Sequence, residues 1–133
     1  MALEIRQLHH HPEFTGHFIG EVTGVDLTRP LTPDEAAAID AGMDKYAVLV
    51  FHGQNITDQQ QIDFSKNFGD LELPDNKSNI IKPDQRRVRA EIADVSNLDK
   101  DHKPFEREDR RRFFGFGNQL WHSDSSFRVI PSK

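Results

Sequence analysis

The feature that most constrains the fold is a capped helix followed at once by an apolar strand. Thr32 stands before a proline, Pro33, and Glu35 lies in the first turn, which is the pattern of a helix N-terminus. The chain then enters AVLVF, Ala47 to Phe51, a continuous apolar run that predicts a strand buried on both faces. A helix and a buried strand in direct succession predict a mixed fold.

The neighbouring segments extend this pattern. His17 to Leu27 is rich in glycine and predicts a short bent strand pair, and Thr57 caps a second helix that ends at Gly69. Residues 90–98, AEIADVSNL, predict a further strand, and the charged residues 99–112 predict a solvated hairpin. This order of elements predicts an α+β fold in which two helices pack outside a sheet.

One long segment has a different character. Residues 72–89 are polar, contain two prolines and end in the basic cluster Arg86, Arg87 and Arg89. We interpret residues 72–89 as a surface loop that acts as a substrate lid. The basic cluster could attract an acidic ligand or could be solvated.

The amino-acid composition excludes some kinds of catalysis and metal site and some classes of binding partner. The chain has no Cys, so thiolate catalysis and Cys-type zinc sites are excluded, and His and carboxylates remain as the metal ligands. A net charge of −5 argues against a nucleic-acid partner, and no apolar run is long enough to cross a bilayer, so no membrane partner is expected. We expect a cytoplasmic protein and leave homo-oligomer formation open.

The strongest candidate for a metal site is His122-Ser123-Asp124. If residues 120–127 form a strand, the side chains of His122 and Asp124 lie on the same face. One imidazole and one carboxylate make up two thirds of the facial triad that holds non-haem Fe(II). The alternative is a strand end at which Asp124 caps a turn and His122 is an ordinary hydrogen-bonded residue.

Two other histidine features are weaker candidates. His9, His10 and His11 could chelate a metal, but adjacent histidines near a terminus are usually exposed and idle. His52 follows the predicted strand and is interpreted as a structural turn residue.

Four blocks of the chain together resemble one enzyme family. They are GVDLTRPLTPDE, VLVFHGQNITDQQQIDFSKNFGDLE, AEIADVSNLD and GNQLWHSDSSFR. In this order they resemble the taurine dioxygenase/TfdA family of Fe(II)- and 2-oxoglutarate-dependent dioxygenases, whose metal motif is similar to Trp121 to Phe127. The resemblance is strongest to the TfdA-type members that act on 2,4-dichlorophenoxyacetate. It implies that residues 1–133 are the N-terminal portion of one double-stranded β-helix domain, a clavaminate synthase-like jelly roll with flanking helices.

The resemblance also implies roles for individual residues. His122 and Asp124 would be two iron ligands. Asn118 would reach the substrate or the open iron position, although it could equally be a turn-forming Asn. Lys77 would face the substrate carboxylate, although a lysine in a polar loop is usually solvated. Ser125 is assigned to the substrate site as well.

The cofactors implied are Fe(II), with 2-oxoglutarate and O2 as cosubstrates. The second iron His and the Arg that binds 2-oxoglutarate are expected beyond Lys133, so residues 1–133 alone are expected to be inactive. The expected reaction is hydroxylation of a small anionic substrate, an aryloxyalkanoate such as 2,4-dichlorophenoxyacetate, giving succinate, CO2, a phenol and glyoxylate. The alternatives are a taurine or alkylsulfonate dioxygenase of the same family and a non-catalytic truncated fragment.

Overall fold

A computed structural model describes residues 2–8, 17–72, 83–124 and 129 of the chain. The chain divides into two compact units, Met1–Gly69 and Asp70–Lys133. Among the described residues, no helix has both the length and the apolar character needed to cross a membrane.

The first unit is built on a three-stranded sheet, β1 (Glu4–Gln7), β2 (Ile19–Thr23) and β3 (Val48–Phe51). β2 lies in the centre, antiparallel to β1 and parallel to β3. The parallel pair needs a crossover connection, which helix α1 (Pro33–Tyr46) supplies. The predicted strand pair over residues 17–27 is therefore one strand, β2, and its antiparallel partner β1 comes from earlier in the chain.

The start of α1 has the predicted cap. The Thr32 hydroxyl accepts a hydrogen bond from the Glu35 backbone N–H at 3.2 Å, and the Glu35 carboxylate accepts one from the Thr32 N–H at 2.8 Å. This reciprocal pair satisfies two backbone donors that a helix N-terminus otherwise leaves without partners. The second predicted helix is α2 (Asp58–Ser65), with the same arrangement at Thr57, and a 3-10 turn then leads to Gly69.

The core of the first unit lies between the sheet and the helices. Its buried apolar side chains are Val22, Leu27, Ile39, Tyr46 and Ile62. The ring of Phe64 on α2 meets that of Phe51 on β3 edge-on, with centroids 5.8 Å apart. The expectation that residues 47–51 are buried on both faces is wrong: β3 is an edge strand of the described sheet, and Val48 is 39% exposed.

The second unit contains turns and short helices in its described part. Leu98 and Pro104 form an isolated bridge that closes a turn over Asp99–Lys103, so the first half of the charged run is hairpin-like as predicted. The second half is not, because it leads into helix α3 (Arg110–Gly115), which is capped by Asp109. A 3-10 helix, Phe116–Gln119, follows directly.

Two predicted strands are absent from the described part of this unit. Residues 90–92 form a turn and a bend, and Val95, an expected core anchor, is 74% exposed. Residues 120–124 are not in a strand either, and no described strand pairs with them. Alternating apolar residues predict a strand only where a neighbouring strand covers the apolar face and takes up the backbone hydrogen bonds. Of the predicted lid, residues 73–82 lie outside the described residues, and Pro83–Gln85 forms a 3-10 turn.

Candidate functional site

The side chains of His122 and Asp124 meet just after the 3-10 helix Phe116–Gln119. His122 Nε2 lies 3.1 Å from Asp124 Oδ1. On its other side the ring approaches the backbone, with Nδ1 2.7 Å from the carbonyl oxygen of Leu120. The side chains of His122 and Asp124 therefore lie close together although residues 120–124 do not form the predicted strand.

The donor set suits a divalent metal of the iron type. Imidazole nitrogen and carboxylate oxygen are the ligand types of the facial triad. Two such donors that occupy adjacent octahedral positions, each about 2.1 Å from the metal, lie about 3.0 Å apart. The observed separation of 3.1 Å between Nε2 and Oδ1 is that of a hydrogen-bonded ion pair and is also compatible with this value. His122 and Asp124 could thus hold one metal ion between them.

The pair is open to solvent and to further ligands. The side chain of Asp124 is 89% exposed and that of His122 is 46% exposed. Over the described ranges, no three His, Asp or Glu side chains come close enough together to hold a metal ion. The described residues thus offer two candidate ligands, and a facial triad needs a third.

The electrostatic setting favours positive charge on or beside the ring. The pKa of His122 is raised above its ordinary value, first by the hydrogen bond to the Leu120 carbonyl and then by the negative charge and hydrogen bond of Asp124. A carboxylate that stabilises a proton on Nε2 also stabilises a cation at the same position. A proton and a metal ion therefore compete for this atom.

The other predicted substrate and metal residues are not assembled around this pair by the described structure. Asn118 lies exposed within the 3-10 helix Phe116–Gln119. Lys77, Ser125 and the histidines His9, His10 and His11 lie outside the described residues. His52 occupies the turn after β3, as expected of a structural residue, and its Nε2 lies 3.3 Å from Glu21 Oε1.

The basic cluster at the end of the predicted lid has a structural role that sequence reasoning missed. Arg87 forms a two-pronged ion pair with Asp94, with distances of 2.7 and 3.1 Å, and both side chains are largely covered. The guanidinium lowers the pKa of Asp94 below its ordinary value. Arg89 pairs with Glu91 at 3.0 Å. Arg87 and Arg89 are therefore paired with nearby carboxylates. They are neither simply solvated nor placed to attract an acidic ligand, the two possibilities considered from the sequence.

A second arrangement that the sequence did not predict lies in the segment before His122 and Asp124. The Arg111 guanidinium binds the Asp109 carboxylate, with a shortest distance of 2.6 Å, and stacks over the Phe105 ring at 4.2 Å. Asp109 also caps α3 through the Arg111 backbone N–H. The sequence of residues 99–112 did not predict the Arg111–Asp109 pair or the stacking on Phe105, because a dense mixture of charges does not indicate which residues pair.

Comparison with known proteins supports a common origin with oxygenases. Residues 4–133 match the model of the taurine catabolism dioxygenase TauD, TfdA family. The alpha-ketoglutarate-dependent 2,4-dichlorophenoxyacetate dioxygenase of Burkholderia sp. (strain RASC) is 45% identical over 114 residues, which cover 84% of this chain and 37% of that protein. The (S)-phenoxypropionate/alpha-ketoglutarate-dioxygenase of Delftia acidovorans is 35% identical over 127 residues, covering 90% of this chain and 38% of that protein.

Solved structures agree with these matches. The crystal structure of AAD-2 in complex with Mn(II) and N-oxalylglycine matches all of this chain and 44% of that chain, with 49% sequence identity and a TM-score of 0.82. The chain thus spans less than half the length of the relatives that it matches.

Proposed function

The chain belongs to the taurine catabolism dioxygenase TauD, TfdA family, and we propose on that basis that its protein is an Fe(II)- and 2-oxoglutarate-dependent dioxygenase of jelly-roll fold. The observation that carries the proposal is the separation of 3.1 Å between His122 Nε2 and Asp124 Oδ1, two donors of the types that the facial triad uses. The remaining ligands, a second His for the metal and an Arg for 2-oxoglutarate, would come from outside the described residues.

His122 and Asp124 would hold the metal on one side and leave its other positions open. When bound, the iron supplies the redox chemistry that couples oxidation of 2-oxoglutarate to succinate and CO2 with hydroxylation of a substrate C–H bond. The part played by the chain is to hold the imidazole and the carboxylate in place and to orient the substrate near them. Because the pair is exposed among the described residues, further protein would have to cover it to exclude water.

We propose an aryloxyalkanoate such as 2,4-dichlorophenoxyacetate as the substrate. The names of the two curated relatives, a 2,4-dichlorophenoxyacetate and a phenoxypropionate dioxygenase, support this choice. Hydroxylation of the carbon that bears the ether oxygen gives a hemiacetal, which breaks down to a phenol and glyoxylate. Lys77 would pair with the substrate carboxylate, and Asn118 and Ser125 would contact the substrate. A cytoplasmic location and homo-oligomer formation remain predictions.

The test is an assay of the protein in its natural length. It would be given Fe(II), 2-oxoglutarate and O2 with either 2,4-dichlorophenoxyacetate or taurine, and succinate and phenol would be measured. We expect succinate and phenol in equal amounts with the aryloxyacetate and little succinate with taurine. Faster turnover of taurine would indicate an alkylsulfonate dioxygenase instead. Failure to release succinate with either substrate would favour a non-catalytic protein.

A further inference from the structure

The outer edge of β3 presents backbone groups that the sheet of the first unit does not use. The Val48 N–H donates a hydrogen bond to the carbonyl of Phe18 at 3.3 Å, so the N–H and C=O of Val48 face β2. Successive residues of a strand direct these groups to opposite sides, so those of Leu49 and Phe51 point away from β2. Within the ranges that the structure describes, no backbone hydrogen bond engages them.

The same two residues are tied to the core by their side chains. The Phe51 ring meets the Phe64 ring of α2, and a Cβ added to Gly42 of α1 would lie 3.3 Å from Leu49 Cδ1. Leu49 and Phe51 are both half-buried. Backbone donors and acceptors in a partly covered apolar strand lower the free energy when they gain partners. The outer edge of β3 therefore offers the hydrogen bonds that a further strand would use.

The residues of β3 do little to prevent such pairing. Proteins protect open sheet edges with charged side chains, prolines, bulges or very short strands. β1, at the opposite edge of the sheet, carries Glu4 and Arg6, whose side chains are 56% and 67% exposed. β3 is Val-Leu-Val-Phe, four residues without a charge or a proline, and Val48 is 39% exposed. Only its shortness protects the β3 edge.

The lengths of the relatives indicate where a further strand would come from. The matched residues cover 37% of the 2,4-dichlorophenoxyacetate dioxygenase and 44% of the AAD-2 chain, so most of each relative lies outside the match. A second copy of this chain is a weaker candidate. Paired edge to edge, it would gain only the backbone bonds of Leu49 and Phe51, whereas stable interfaces bury roughly 1,200–2,000 Å². A strand of the same protein is already tethered and loses less freedom on pairing.

We propose that the outer edge of β3 is a pairing surface for a further β-strand, which a part of the natural protein outside residues 1–133 supplies. The N–H and C=O groups of Leu49 and Phe51 form the hydrogen bonds to this strand. The sheet of the first unit then continues into the rest of the protein, with β3 as an interior strand. The proposal uses the relatives only for their length and involves neither the metal nor the substrate.

Hydrogen exchange of the natural protein, read at single amides by NMR, tests the pairing. The amides of Val48 and Val50 face β2 and are the internal reference for a hydrogen-bonded strand. We expect the exchange rates of Leu49 and Phe51 to lie within about tenfold of that reference. Exchange of Leu49 and Phe51 about 100-fold faster than the reference, near the rate of an unstructured peptide, would show that the edge is open and would overturn the proposal.

The source of the strand is tested on the same sample by nuclear Overhauser contacts and by dilution. We expect cross-strand contacts from the Leu49 and Phe51 amides to residues outside 1–133, with exchange rates that do not depend on protein concentration. Contacts to residues within 1–133, or protection that is lost on dilution as in a pair of copies, would contradict the proposed source. Because no iron or 2-oxoglutarate is used, a protein that shows this pairing but binds no iron would refute the proposed function alone.

Discussion

At the scale of single residues, the metal proposal depends on the proximity of the His122 and Asp124 side chains as well as on the motif. A His and an Asp two positions apart are common in sequences, and the spacing brings them together only in suitable backbone conformations. Here the conformation is an irregular extended segment after a 3-10 helix, and the two donors still lie 3.1 Å apart. The sequence singled out His122 and Asp124, but it did so through a strand that the described residues 120–124 do not form. The contact of His122 Nδ1 with the Leu120 carbonyl was not predictable, because backbone acceptors are present at every position.

Lys77 provides a prediction at this scale. If it pairs with the substrate carboxylate, Lys77→Ala should raise the KM for the aryloxyacetate roughly tenfold or more and leave the KM for 2-oxoglutarate nearly unchanged. Steady-state kinetics of the natural protein with each substrate varied in turn would measure both. Lys100→Ala removes an exposed cation from the Asp99–Lys103 turn and is the matched control. Equal changes in both KM values, or none, would assign Lys77 to the solvated lysines.

At the scale of elements, local signals predicted the helices better than the strands. Thr32 and Thr57 mark helix starts because capping depends on residues three positions apart, which the sequence displays directly. The strand at residues 90–98 was wrong, because strand formation depends on a partner that the local sequence cannot specify. The Arg87–Asp94 pair joins residues seven positions apart in irregular backbone, where no periodic rule applies. Helix α3 was not predicted either, because its first residues belong to a charged run without apolar periodicity.

The cap of α1 predicts how stability depends on pH. Glu35 pairs with Arg29 at 3.0 Å and accepts the Thr32 N–H, and together these lower its pKa from 4.5 to about 2. A carboxylate with a lowered pKa stabilises the folded state fully above the unfolded pKa and loses this effect as pH falls toward the folded pKa. Glu35→Gln should therefore lower the free energy of unfolding above pH 4.5 and have a shrinking effect as pH approaches 2.

Urea denaturation at a series of pH values would measure this dependence. Asp34→Asn removes a negative charge from the same helical turn without altering the Arg29 pair and serves as the control. A destabilisation by Glu35→Gln that stays constant from neutral pH to pH 2 would show that the charge pair does not contribute.

The contact between β2 and α1 gives a second prediction for an element. A Cβ added to Gly20 would lie 2.8 Å from Leu49 Cδ2 and 2.8 Å from Tyr46 Cδ2. The Tyr46 side chain is buried, so Gly20→Ala should destabilise the fold by about 1–3 kcal/mol through overpacking. Gly115→Ala is the matched control, since a Cβ there meets nothing within 4 Å and alanine favours a helix. Equal urea midpoints for the two variants would contradict the packing at Gly20.

At the scale of the whole molecule, the proposed metal site needs more ligands than the two candidates, His122 and Asp124, among the described residues. Two protein ligands seldom hold Fe(II) against water and buffer. Residues 1–133 expressed alone should therefore release no succinate from 2-oxoglutarate in the presence of Fe(II) and O2. Turnover by this chain would mean that it supplies the missing ligands itself, and His9, His10 and His11 would be the first residues to substitute.

The iron content of the natural protein after anaerobic loading with Fe(II) shows whether His122 and Asp124 hold the metal. The proteins compared would be the wild type, His122→Ala, Asp124→Ala and the control His52→Ala, which removes a histidine that pairs with Glu21. We predict about one iron per chain in the wild type and in His52→Ala, and less than roughly one tenth of that in each ligand variant, because a facial triad that loses one ligand no longer retains a labile divalent ion. Iron retained at the wild-type level in either His122→Ala or Asp124→Ala would contradict the assignment of these two residues as metal ligands.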